Sequence, residues 1–119
     1  MTINLYGIKN CDTVKKARTW LDQNEIHYHF HDFRVDGLDI TAVKRWEKSV
    51  GKDALINKRS TTWKQLNSEQ QALFTSETLS ENAIALILEN PTLIKRPVLE
   101  AEKTISVGFK ADTYHDILT

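Results

Sequence analysis

Apolar and polar side chains alternate over residues 3–7 (INLYG), the period of a β-strand. From Asp12 to about Gln23 the spacing lengthens to that of a helix. Val14, Ala17, Trp20 and Leu21 fall on one face, with Lys15, Lys16, Arg18 and Asp22 elsewhere. Strict alternation returns over residues 26–33 (IHYHFHDF) and predicts a second strand, with Ile26, Tyr28 and Phe30 inward and His27, His29 and His31 together on the other face. The texture then turns helical over 39–49, 62–75 and 80–89, the first of these striped by Ile40, Val43 and Trp46. Ser80 reads as an N-cap with Glu81 in the first turn, where the helix dipole favours an acid. Asn90-Pro91 ends that helix. Residues 96–109 hold two short strands around the polar turn EAEK, and a last helical segment runs from about Lys110 to Leu118.

The first strand–helix–strand is a crossover and implies parallel pairing, while the late hairpin implies antiparallel pairing. The expected architecture is α/β, a mixed sheet with helices against it. At 119 residues the chain is expected to form one domain, 1–119. Apolar residues make up 40% and charged residues 27%, the balance of a soluble globular protein. The 16 basic and 16 acidic side chains cancel, which argues against nucleic acid or an anionic membrane as partner. No apolar run approaches the roughly 18 residues of a membrane span, and "MTINLYGIKN" lacks the features of a secretory signal. A single cysteine excludes an internal disulfide and fits a reducing, cytoplasmic setting.

That cysteine, Cys11, stands where the first strand gives way to the first helix. The opening N–H groups of a helix lack backbone partners and carry the positive end of its dipole. Both effects favour a thiolate over a thiol. Lys9 and Lys15 add to them, and Asp12 opposes them. Position 14 is Val, so no resolving cysteine follows and the thiol must exchange with an external partner. A buried, inert sulfur is the competing reading. Pro97 in IKRPVL suits the start of a strand, which needs no ladder N–H there. The histidines of the second strand find no carboxylate or cysteine to complete a metal site and read as a polar strand face; no metal and no bound cofactor are expected. Trp20, Trp46 and Trp63 occupy apolar helical positions and read as core or inter-helix anchors.

Three separated segments, LYGIKNCDTVKKARTWLDQNEIHYHFHDFR, INKRSTTWKQL and NPTLIKRPVL, together resemble the arsenate reductase-like family. This group takes in ArsC-type arsenate reductases, Spx transcriptional regulators and YffB-type proteins, and the likeness is greatest to the YffB branch. It covers essentially the whole chain. The resemblance implies a thioredoxin/glutaredoxin-like core with a helical insertion, about 38–90, between the second and third strands. It also implies roles: Cys11 as the redox-active cysteine, Arg96 as the arginine that holds the oxyanion or thiol adduct, and Pro97 as the cis-proline beside the thiol. The loop NKRSTT falls where the family keeps another active-site arginine, with Asn57 at the arsenate-reductase position and Arg59 two residues later.

Two departures bear on function. Arsenate reductases carry a further arginine after the last strand, where VGFKADTY offers only Lys110, a point charge in place of a bidentate fork. Spx regulators commonly carry a Cys-x-x-Cys switch that CDTV cannot form. The expectation is a single-thiol oxidoreductase that uses glutathione as co-substrate. Cys11 and Arg96 are its catalytic residues, and Lys9, Asn10, Lys15, Arg59 and Pro97 bind substrate. The two carboxylates of glutathione suit Arg59, Arg96, Lys9 and Lys15. The protein would be a monomer acting on glutathione or a small thiol or disulfide. A Spx-like regulator docked on a protein partner is the alternative, with glutaredoxin-coupled arsenate reduction third.

Overall fold

The computed structural model describes residues 2–119. The chain divides into two compact units, one from the N-terminus to Gly37 with Arg96–Thr119, the other Leu38–Lys95.

The first unit is a mixed α/β layer. Strands β1 (Ile3–Gly7), β2 (His29–Asp32), β3 (Val98–Ala101) and β4 (Thr104–Val107) form one sheet in the order β2-β1-β3-β4. β1 pairs parallel with β2, as the crossover through α1 (Asp12–Gln23) requires, and antiparallel with β3, which pairs antiparallel with β4. With α7 (Ala111–Leu118) this is the thioredoxin/glutaredoxin-like arrangement. Its core joins Ile3 and Leu5 of β1, Ala17 and Leu21 of α1, Leu99 and Ala101 of β3, and Tyr114 of α7. Arg18 pins α1 to the β2 segment. Its guanidinium lies 4.3 Å from the centre of the Phe30 ring and its Nε donates to the Tyr28 hydroxyl at 3.1 Å.

β1, α1 and α7 occupy nearly the spans that hydrophobic periodicity predicts. The second strand is shorter than expected, beginning at His29 and not at Ile26. The backbone before it belongs to the end of α1: Glu25 takes a positive φ of 56°, and the Ile26 N–H donates to the Leu21 carbonyl at 3.0 Å. His27 therefore lies outside the strand, exposed, while His31 stacks on Tyr6 at 4.6 Å. The three histidines do not share one strand face.

The second unit is helical: α2 (Ile40–Val50), α3 (Lys52–Leu55), α4 (Thr61–Gln65), α5 (Ser68–Ala72), α6 (Glu81–Glu89) and a short 3-10 turn at Pro91–Leu93. Asp39 caps α2 through the Ala42 N–H at 2.8 Å, and Ser80 caps α6 through the Ala83 N–H at 3.1 Å. The single helix expected over 62–75 is two. Asn67 and Gln70 form a capping box that starts α5 afresh. Trp46 is fully buried, whereas Trp63 is half-buried, edge-on to Phe74 at 5.4 Å. Ile40, expected in the apolar stripe, is 42% exposed, and Ala42 is buried in α2. Among the described residues no helix is long and apolar enough to cross a membrane.

Candidate functional site

The end of β1 and the start of α1 are packed against each other with no room for a side chain at Gly7. A Cβ there would lie 2.7 Å from Cγ2 of Val14. The residues between, 8–11, therefore make a tight turn, closed by the Cys11 N–H donating to the Ile8 carbonyl at 3.2 Å. Cys11 becomes the N-cap of α1 in an extended conformation, φ −94° and ψ 127°. Its carbonyl accepts the Lys15 N–H at 2.9 Å, but its side chain makes no capping hydrogen bond. The sulfur is free and half-buried at the positive end of a helix of 12 residues, with Asp12 the first-turn acid.

Asp32, at the end of β2, holds this turn in place. Its buried carboxylate accepts the Lys9 N–H at 3.2 Å and the Arg34 N–H at 2.8 Å. Asp36 in turn accepts the Asp32 N–H at 3.0 Å. Buried polar atoms need such partners, and here each bond also ties a loop. Sequence reasoning missed Asp32 as a positioning residue. The signal was an acid closing an alternating strand, with a second acid four residues on.

The register Tyr6↔Val98 brings the end of β1 beside the start of β3, so the Cys11 turn and Arg96-Pro97 emerge at the same end of the sheet. The Arg96–Pro97 peptide bond is cis, as the family resemblance implies. Pro97 is buried, and its carbonyl accepts the Gly108 N–H at 2.9 Å. Arg96 is half-buried. Its Nε is sealed from solvent and has no hydrogen-bond partner among the described residues. A guanidinium at the same end of the sheet as a free thiol can receive a carboxylate, an oxyanion or an anionic sulfur.

Lys9, Asn10 and Lys15 are exposed around Cys11. Arg59 belongs to the other unit, exposed on the turn before α4, where its N–H donates to the Asn57 side-chain oxygen at 3.0 Å. The structure thus gathers Lys9, Asn10, Cys11, Lys15, Arg96 and Pro97 within one unit. Lys110, the cation of VGFKADTY, is the exposed residue before α7.

Comparison with known proteins fits this geometry. The model of the ArsC family matches residues 6–117. An uncharacterized protein of Haemophilus influenzae is 45% identical over 94% of this chain and 95% of its own. The global transcriptional regulator Spx of Listeria innocua is 30% identical over 92% of this chain and 82% of its own. Among solved structures, a YffB protein superposes with a TM-score of 0.88 at 42% identity, covering 99% of this chain and 100% of that one. The chain belongs to the ArsC family.

Proposed function

We propose that this ArsC-family protein is a thiol–disulfide oxidoreductase that works through Cys11 with glutathione as its thiol co-substrate. The observation that carries this reading is the placement of a free, uncapped sulfur and an unpartnered Arg96 Nε at one end of the sheet. The Cys11 thiolate attacks a mixed disulfide of glutathione at the glutathione sulfur. The S–S bond breaks, the other thiolate leaves and takes up a proton, and glutathione remains on Cys11. A second glutathione thiolate attacks that adduct, releases Cys11 and departs as oxidised glutathione. In sum one reduced glutathione is consumed: the mixed disulfide becomes the free thiol, and oxidised glutathione carries away the disulfide bond. Arg96 pairs with a glutathione carboxylate, and the exposed Lys9 and Lys15 add charge at the rim, with Asn10 a hydrogen-bonding neighbour. The protein acts in the cytoplasm as a monomer.

Glutathione-dependent reduction of a small mixed disulfide, coupled to glutathione reductase, tests this. Turnover by the wild type and none by Cys11→Ser is expected; equal turnover by both contradicts it. A second reading is favoured by the Spx relatives, named as global transcriptional regulators: a regulator that docks on a protein partner. A stable partner recovered from lysate equally by wild type and Cys11→Ser would select it. Arsenate reduction lacks the third arginine, and Lys110 stands in that segment.

A further inference from the structure

Trp20 and Phe109 take no part in the chemistry above, yet they line a surface groove of about 340 Å3 next to it. The groove follows α1 past Lys15, Lys16 and Thr19 and is walled on its other side by Phe109 and Ala111. Each wall is tied to the candidate site through the backbone. Lys15 donates its N–H to the Cys11 carbonyl at 2.9 Å, and Gly108, the neighbour of Phe109, donates its N–H to the Pro97 carbonyl at 2.9 Å. The aromatic walls are braced from beneath. Trp20 and Phe109 each meet the fully buried Tyr114 edge-on, at 5.8 and 4.8 Å between ring centres. The groove is mainly apolar, and the charged side chains among its described lining are both cations.

We propose that this groove seats the half of the substrate that is not glutathione, and that this half is a phenylalkyl or similarly apolar thiol bearing a carboxylate. The inference rests on the glutathione reading and narrows its substrate class. The volume suits a small ligand, near the lower end of the range for such sites. An aromatic body lies against Trp20 and Phe109, and the carboxylate reaches Lys16. In the exchange step this half is the leaving group. Its sulfur takes the electron pair of the broken S–S bond and then a proton, while glutathione stays on Cys11. Seated in the groove, that leaving thiol is held in line with the attacking sulfur.

The test compares two mixed disulfides of glutathione, one with a carboxylated phenylpropyl thiol and one with cysteamine. Each rate is divided by the rate of the same disulfide with free cysteine, which removes intrinsic leaving-group differences. The wild type is expected to prefer the first by about tenfold, the gain from covering one ring in a half-open groove. Thr19→Phe, which fills the groove from an exposed position, and Lys16→Glu are each expected to abolish the preference. In Cys11→Ser, phenylbutyrate is expected to shift the Trp20 indole N–H resonance saturably. Reaction with both disulfides, with no preference and no shift at Trp20, overturns the groove proposal, as does a preference that both variants keep. A shift at Trp20 with no reaction at Cys11 supports the groove's ligand and instead overturns the glutathione reading.

Discussion

Gly7 and Val14 approach so closely that a methyl group on Gly7 would sit 2.7 Å from Cγ2 of Val14. This contact sets where α1 starts, and hence where Cys11 stands relative to the sheet. Val14 is fully buried and cannot swing away. Gly7→Ala is expected to destabilise by about 1–3 kcal/mol through overpacking. In urea unfolding the midpoint falls while the slope stays unchanged.

Asp32 anchors the same turn from the other side. Asp32→Ala leaves the Lys9 and Arg34 N–H groups without their carboxylate and is expected to cost about 1–3 kcal/mol. Asp32→Asn keeps one acceptor oxygen and is expected to lose less. Hydrogen exchange read at the Lys9 amide separates the two, with protection lost in the alanine variant and partly kept in the asparagine one.

These two cases show what the sequence carries and what it hides. Local patterning is legible: INLYG as β1, the Val14–Ala17–Leu21 face of α1, the Ser80 cap of α6 and the hairpin before α7 all follow from spacing and capping chemistry. So was the cysteine at a strand–helix junction, and the family resemblance added Arg96 and Pro97. Where a backbone turn competed with periodicity, the pattern misled. Ile26 to Tyr28 alternate like strand residues, but the end of α1 takes the Ile26 N–H. The break at Asn67 was written in the Asn-x-x-Gln spacing but masked by the apolar residues on either side. Contacts distant in sequence stayed invisible: neither the bond from Lys9 to Asp32 nor the meeting of Trp20 and Phe109 on Tyr114 leaves a local signature.

Tyr114 gives a pH dependence. Burial raises its pKa above the ordinary value of 10.0, because the phenolate cannot be solvated there. Its hydroxyl is sealed in and has no hydrogen-bond partner among the described residues. Above about pH 10 the unfolded chain releases this proton and the folded chain keeps it, so the folded state binds more protons and stability falls as pH rises. Below that pH the contribution is constant. The slope approaches about 1.4 kcal/mol per pH unit. Tyr114→Phe is expected to remove this component of the alkaline loss and to change stability at neutral pH by less than about 1 kcal/mol. Urea unfolding at pH 8 and above pH 10 reads both.

Arg96 has a donor to spare, and its value lies in the reaction. Arg96→Met is expected to slow glutathione transfer to Cys11 by roughly tenfold to a hundredfold, the loss of one charge-assisted contact. Arg96→Lys restores part of the rate as a point charge. The check is the adduct rate at neutral pH for both variants. A purely structural role would slow both alike and lower the urea midpoint.

The central claim is that Cys11 is a working nucleophile, and intact-mass spectrometry of the native protein treated with oxidised glutathione tests it most directly. The account predicts a single glutathione on the wild type, formed faster than on free cysteine at neutral pH, located at Cys11 and removed by added glutathione. A sulfur that takes up glutathione only after the protein is unfolded would contradict it.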